Sequence, residues 1–300
     1  MLQKFLDYLA YELNRSPLTV DAYSRDIRQF MEWLSPENPE ATDFISVTSR
    51  DIRAWVLHLS KQGDSNRTNR RKLQSLRALY RWLQKTGKVK SSPLREIPLP
   101  KIPKPLPDLV RQSDIEAAIT DETEAGEKDP SEVMGNLIVD MLFSLGIRRA
   151  ELVGIDDSDV SFRKQELKVL GKRSKERIIP LPPPLIEKIR EWQEIRDFEF
   201  GNPGGDSPLF VVKGERIKAD KVYRIVRQKL EGAEAKKKSP HALRHSFASA
   251  MLNGGADLDS VREFLGHSSL STTQIYTHIS LKEIKKAYSM AHPRSTDAKK

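Results

Sequence analysis

Six side chains suited to phosphate chemistry stand where a hydrophobic core would not want them: Arg148, Lys172, His241, Arg244, His267 and Tyr276. Arg148 follows the apolar run "MLFSLGI" and sits next to a helix start. A guanidinium there is costly unless it meets an anion, and its planar fork fits two phosphate oxygens. An internal salt bridge to Glu151 explains it equally well. His241 and Arg244 are three apart on a helix, so both point the same way. "LGHSS" sets His267 in a Gly/Ser turn after a helix, and Tyr276 follows nine residues on in the polar stretch "STTQIYTHIS". Alone, Tyr276 reads as a surface tyrosine with one apolar face and one wet end, and Lys172, at a hairpin tip, as a solubilising charge. Together the six fit one reaction. Two arginines neutralise the non-bridging oxygens of a phosphodiester, and two histidines hydrogen-bond it and move protons. A lysine protonates a leaving oxygen and a tyrosine attacks. The arginines supply the charge that Mg²⁺ supplies in other phosphoryl transfers, so the reaction calls for no metal and no cofactor.

Other chemistries fit less well. His241 and His245 have the i, i+4 spacing that can bind zinc from one helix face, but the metalloprotease pattern needs Glu after the first histidine, and Ala242 stands there. The chain has no cysteine and no obvious third ligand. "GKRS" resembles the end of a phosphate-binding loop, yet Glu166 occupies the earlier glycine position and Arg173 the Ser/Thr position. Paired carboxylates and a Gly-x-Ser-x-Gly elbow are absent.

The elements that must hold these groups fall into two parts. Four helices are expected first. One spans 2–13 with Phe5, Leu9 and Leu13 inward, and a second spans 19–34 with Tyr23, Ile27, Phe30 and Leu34 inward. A third opens with the capping box "TSRD" at Thr48–Asp51, buries Ile52, Trp55, Val56 and Leu59, and stops at Gly63. The fourth buries Leu73, Leu76, Tyr80 and Leu83 and ends near Gly87. Six prolines in residues 91–108 then block both helix and sheet, which predicts a stiff extended connector. The expected division is a helical domain at 1–90, a linker at 91–107 and a mixed domain at 108–300 that carries the six residues above. In that last part "QELKVLGKRSKERIIPL" alternates about a Gly-containing turn and reads as a β-hairpin. Helices are expected near 113–120, 132–144, 184–197, 218–231, 241–253, 257–266, 271–277 and 281–290. The acidic run at 121–132 reads as a solvated loop.

Charge suggests the partner. Of 300 residues, 51 are Lys or Arg and 42 Asp or Glu, a net +9. Residues 1–107 hold 19 basic and 11 acidic side chains, a difference of +8. Between Lys61 and Lys90 ten basic residues face one acidic residue, Asp64. Arg67, Arg70, Arg71, Gln74, Arg81 and Lys85 gather on one face of the fourth helix. Basic charge favours a polyanionic partner, nucleic acid or an anionic membrane face; a merely solvated face usually mixes signs, and this one reads as a phosphate-tracking helix. The absence of cysteine suits a reducing compartment. Asp7 and Glu12 exclude a signal peptide or membrane span at the start, and no apolar run elsewhere is long enough to cross a bilayer. A cytoplasmic protein without membrane insertion is expected.

"SLGIRRAELVGID", "GKRSKERIIPL", "SPHALRHSFASAMLNGGADLDSVREFLGHSSLSTTQIYTHIS" and "AHPRS" closely resemble the tyrosine recombinases (the phage integrase family), and within them the Xer group. The resemblance spans essentially the whole chain. It implies a mainly α fold with a small antiparallel β-sheet, an N-terminal four-helix, SAM-like core-binding domain, a mixed α/β catalytic domain, and a C-shaped clamp around double-stranded DNA. It makes Tyr276 the nucleophile, Arg148 and Arg244 the phosphate clamps and His241 the general acid/base. His267 becomes a second donor to the phosphate and Lys172 the proton donor to the leaving 5′ oxygen. Ala150 stands where the family commonly has Ser, and "RS" replaces the commoner "GN" after Lys172. The implied activity is site-specific recombination through a 3′-phosphotyrosyl ester, resolving chromosome or plasmid dimers at a dif-like site without ATP or metal. Implied partners are DNA, a homo- or hetero-tetramer on two sites with a related recombinase and a helix near 281–290 docked on a neighbour, and a DNA-translocase activator. Rivals are an integrase of a phage or mobile element, a type IB topoisomerase and a non-catalytic DNA-binding regulator.

Overall fold

A computed structural model describes residues 1–38, 43–102, 109–119, 129–171, 175–201, 206–266, 288 and 291. The chain divides into two compact units, Met1–Pro105 and Leu106–Lys300. It is mostly helical with small antiparallel sheets, as its patterning predicts.

In the first unit, α1 (Leu2–Asp7) runs into a π-helical turn at Tyr8–Glu12, followed by α2 (Pro17–Glu37), α3 (Ser49–Lys61) and α4 (Asn66–Lys85). The π turn corrects one expectation. The Leu13 amide bonds back to the Tyr8 carbonyl at 3.0 Å, an i to i−5 step that breaks the 3.6-residue period. Leu13 therefore leaves the core and is exposed. Tyr23 and Val56, also expected inward, are half-buried. The Thr48–Asp51 capping box is made in both directions. Gly63 and Gly87 carry φ of +84° and +69°, which the turns after α3 and α4 require. Phe30 and Trp55 meet edge-on at 4.9 Å in the centre of the unit. A Phe buried this way contributes roughly 1.5–3 kcal/mol. The first part of the proline-rich stretch packs onto the same core through Leu94 and Ile97. Its carbonyls are held from α3 and α4: Ser49 donates to Pro93 at 2.7 Å, Arg70 to Pro100 at 3.3 Å and Asn66 to Lys101 at 3.2 Å. Proline cannot donate, so its neighbours in this stretch are satisfied by side chains instead of a ladder.

The second unit is built around α6 (Pro130–Ser144), buried over every residue from Val133 to Ser144. A helix buried on every side needs cover on every side, and its buried Asn136, Asp140 and Ser144 sit among the apolar residues. The cover comes from α5 (Gln112–Ile119), α8 (Pro183–Phe200), α9 (Ala219–Lys229) and α10 (Pro240–Asn253). Five-residue α7 (Arg149–Val153) follows α6 across Gly146. The expected hairpin forms from β2 (Glu166–Leu170) and β3 (Glu176–Pro180), with Val169 opposite Arg177, and β1 (Val160–Ser161) adds a third strand. A second hairpin, β4 (Val211–Val212) with β5 (Glu215–Arg216), has no counterpart in the sequence reading. Its turn places Lys213 and Gly214 at φ of +55° and +78°, the primed-turn signature, but two-residue strands are too short to show alternation. Short α11 (Leu258–Phe264) closes the described run; its Asp257 cap accepts from the Ser260 amide at 2.8 Å. Tyr288 stacks on Phe264 at 5.8 Å and donates to the Ser144 carbonyl at 3.1 Å, so residue 288 lies in this chain's own core. The expected helix at 271–277, most of that at 281–290 and residues 121–128 of the expected acidic loop lie outside the described residues; the end of that stretch is helix instead of loop, with Asp129 capping α6 and Pro130–Glu132 forming its first turn.

Candidate active site

Of the six residues singled out in the sequence, Arg148, His241 and Arg244 are described, and Lys172, His267 and Tyr276 lie outside the described residues. Arg148 and Arg244 converge on Glu151, the anion that explained Arg148 equally well in the sequence, and His241 stands within reach of their charges. The α6–α7 turn puts Gly146 at φ +54°, where a Cβ would lie 2.4 Å from the Phe247 ring. Only glycine lets the chain turn this tightly against α10. That turn delivers Arg148 to the start of α7, with its backbone amide and Nη1 on the Glu151 carboxylate at 2.8 and 2.7 Å.

Glu151 is 5% exposed, and a second guanidinium shares it. Arg177, reaching in from β3, donates Nη1 and Nη2 to Oε1 and Oε2 at 2.9 and 2.8 Å. Arg244 Nη1 stands 4.0 Å from the same carboxylate. Burial alone would raise the Glu151 carboxyl. Its hydrogen bonds and charge attraction to Arg177 and Arg148 outweigh burial and hold it at about 2. Three guanidiniums against one carboxylate leave two net positive charges at this spot. Arg148 thus makes the salt bridge to Glu151 without its charge being cancelled in the cluster as a whole.

The same arginines collect the orphan carbonyls at the end of α11. Arg177 Nε donates to Phe264 O at 3.1 Å, Arg244 Nη2 to Leu265 O at 2.7 Å and Arg148 Nη2 to Gly266 O at 3.2 Å. Cations at a helix C-terminus satisfy groups that have no partner inside the helix. Arg244 also donates to Gly146 O at 2.6 Å, tying the two turns together. Arg244 is 7% exposed. Burial first, then repulsion from Arg148 and Arg177, lower its pKa to about 10 despite Glu151, and it stays charged at neutral pH. Arg148 is the more open of the two, with 30% of its side chain exposed.

His241 occupies the first turn of α10, after the Ser239 cap and Pro240, three residues before Arg244. Partial desolvation first, then the charges of His245, Arg149, Arg244 and Arg148, push its pKa below the ordinary imidazole value. It is neutral at pH 7, able to accept a proton or a hydrogen bond. Among the described residues no group of three or more His, Cys, Asp and Glu is placed to hold a metal ion.

The sequence reading missed Arg177. A signal was present: Arg177 and Ile179 share a strand face, and Ile179 is core, so a charge at 177 needs a buried anion.

On α4, Arg67, Arg71, Arg81 and Lys85 are exposed and Arg70 half-buried, all on the side away from Leu73, Leu76 and Leu83. Arg71 forms an ion pair with buried Asp26, which also accepts from Ser75 at 2.7 Å. Lys85 lies 5.0 Å over the Tyr8 ring. Tyr8, Arg15, Gln74, Arg81 and Lys85 line a cavity of about 440 Å³ on this face. No described helix is long and apolar enough to cross a membrane.

Residues 110–283 match the phage integrase family, and residues 2–87 match the N-terminal SAM-like domain of phage integrases. Tyrosine recombinase XerC of Chlorobaculum parvum is 36% identical over 315 residues, covering 97% of this chain and 94% of the relative. Tyrosine recombinase XerC of Pelobacter propionicus is 36% identical over 299 residues, covering 98% and 95%. The fold matches XerH site-specific recombinase bound to its difH substrate, at 24% identity, TM-score 0.68 and coverage of 96% of this chain and 83% of that one. It also matches the Tn1549 transposon integrase in complex with transposon right end DNA, at 19% identity, TM-score 0.65 and coverage of 95% and 97%. The chain belongs to the phage integrase family, and it is a tyrosine recombinase, an enzyme that cleaves and rejoins DNA.

Proposed function

We propose that this enzyme is a site-specific recombinase of the Xer type that resolves chromosome or plasmid dimers at a dif-like site. The observation that carries the chemistry is the cluster of Arg148 and Arg244 around Glu151, with its net positive charge, standing at the end of α11 where the chain runs on to His267 and Tyr276. In this reading Arg148 and Arg244 hold the non-bridging oxygens of the scissile phosphate and stabilise charge that develops on them. Neutral His241 takes the proton of the Tyr276 hydroxyl. The tyrosine oxygen attacks phosphorus, the bond to the 5′ oxygen breaks, and Lys172 gives that oxygen a proton. A 3′-phosphotyrosyl ester and a free 5′-hydroxyl result, with His267 donating to the phosphate. Attack by a partner strand's 5′-hydroxyl reverses the step, so the ester conserves the bond and no ATP is consumed.

Several further parts belong to the proposal. A helical domain at 1–90 and a catalytic domain at 108–300, joined through 91–107, bind double-stranded DNA, with Arg67, Arg70, Arg71, Arg81 and Lys85 tracking its phosphates. Strand exchange uses four protomers on two sites, with a related recombinase as partner and a DNA translocase as activator, in the cytoplasm. The extent of the XerC relatives over this chain supports the Xer reading above that of a mobile-element integrase.

Footprinting on DNA of the source genome locates the site; a nicked version of it then traps the covalent intermediate. The wild-type chain is expected to give a protein–DNA adduct in excess EDTA. Binding without any adduct would contradict the proposed metal-free cleavage at that site.

A further inference from the structure

We infer that Arg177, which lies outside the six catalytic candidates, is a positioning residue for DNA cleavage. It neutralises Glu151 so that Arg148 keeps its charge for phosphate, and it fixes the backbone just ahead of Lys172 and His267. The inference rests on the recombinase reading above and deepens it.

Arg177 spends each face of its guanidinium on a different part of the site. Nη1 and Nη2 take both oxygens of Glu151, at 2.9 and 2.8 Å, and Nε takes the Phe264 carbonyl, at 3.1 Å. Two glycines abut it. A Cβ on Gly171 would sit 3.6 Å from Arg177 Nη1 and 3.8 Å from Glu151 Oε1. A Cβ on Gly266 would sit 3.3 Å from the same Nη1, and Gly266 has φ +63°. Gly171 directly precedes Lys172, and Gly266 directly precedes His267. The Gly171 amide also bonds to the Lys175 carbonyl at 2.7 Å, closing the neck of the hairpin beside the guanidinium. One side chain therefore holds the anion of Arg148 and the Phe264 carbonyl, and it lies near the two glycines that precede Lys172 and His267 in the sequence.

The electrostatics follow from counting. Without Arg177, Glu151 is left to Arg148 and the more distant Arg244, and the net charge of the cluster falls from two to one. Glu151 then draws more heavily on Arg148, and the cluster pulls more weakly on phosphate. With Arg177 bound bidentately, the carboxylate is satisfied twice and Arg148 is left with charge to share. A lysine cannot replace it, because an ammonium lacks the planar fork that reaches three acceptors in one plane.

The test uses full-length protein and single-turnover adduct formation on the nicked site, with saturating DNA. The variants are Arg177→Gln, Arg177→Lys, Glu151→Gln and the double variant. Rate constant and amplitude are read separately, because a purely structural role lowers the folded, active fraction and leaves the rate constant of the remainder alone. Arg177→Gln and Arg177→Lys are expected to lower the rate constant by about 10²-fold, the scale of a small misplacement at a reacting centre, with DNA affinity within about threefold of wild type. Glu151→Gln/Arg177→Gln is expected to react no more slowly than the slower single variant, because the charge that needed neutralising is gone. Wild-type rate constants in both Arg177 variants, whatever their amplitudes, would overturn the inference. So would losses that multiply in the double variant. Absence of adduct with the wild-type chain strikes the recombinase reading itself, a different failure.

Discussion

Replacing Glu151 by Gln keeps the shape of the side chain and removes the charge that three arginines share. An amide NH₂ then also stands where a guanidinium donor points. The carboxyl is held at about 2 against an ordinary value of 4.5, which corresponds to roughly 3 kcal/mol of stability at pH 7. That agrees with the roughly 3–5 kcal/mol usually lost when one partner of a buried ion pair is removed. Because the folded value lies below the unfolded one, the contribution is complete above the unfolded value of 4.5 and fades as pH falls toward 2. Urea unfolding of wild type and Glu151→Gln at a series of pH values reads the difference directly. The gap is expected to be near 3 kcal/mol at pH 7 and about half of that a little above pH 3. A gap under about 1 kcal/mol at pH 7, or one that keeps its size down to pH 3, would show that Glu151 is not the ionised centre of the cluster.

Gly146→Ala combines a strained φ of +54° with a Cβ 2.4 Å from Phe247 and 2.9 Å from Leu265, so it should cost at least about 2 kcal/mol, read as a lowered Tm. Mutation of exposed Arg67 and Arg81 together to Ala should lower the slope of log affinity against log salt by about 0.9 for each phosphate no longer neutralised, while single-turnover cleavage at saturating DNA stays near wild type; an unchanged slope would make α4 an ordinary solvated face. Lys172→Ala should slow cleavage by roughly 10²- to 10⁴-fold and regain most of the loss on DNA whose bridging 5′ oxygen is sulfur, a leaving group that needs no proton. Equal rates for Lys172→Ala on the two substrates would remove Lys172 from that role.

The helices were legible because burial on one face leaves a periodic mark: Leu73, Leu76, Tyr80 and Leu83 sit where the spacing puts them, and "TSRD" caps α3 as its pattern predicts. Periodicity failed where the backbone left it. The π turn at Tyr8–Glu12 adds a residue to one turn and sends Leu13 to solvent, and β4 and β5 are two residues each. In the site, "HALRH" showed that His241 and Arg244 share a face, since that depends on local geometry alone. The salt bridge between Arg148 and Glu151 was legible for the same reason, being i, i+3. Arg177 lies 26 positions from Glu151 and 87 from Phe264 along the chain, and no local pattern joins them. Only the charge on the core-facing side of β3 hinted that an anion waited there.

The proposed attack of Tyr276 on a DNA phosphate without help from a metal is tested most directly by digesting the trapped adduct formed in excess EDTA and identifying the DNA-linked peptide by mass spectrometry. The expected result is a DNA 3′-phosphate joined to the phenolic oxygen of Tyr276, a 5′-hydroxyl that polynucleotide kinase can label on the released strand, and no adduct from Tyr276→Phe while that variant still binds DNA. An adduct on another residue, a 5′-linked phosphate, or an adduct from Tyr276→Phe would contradict it.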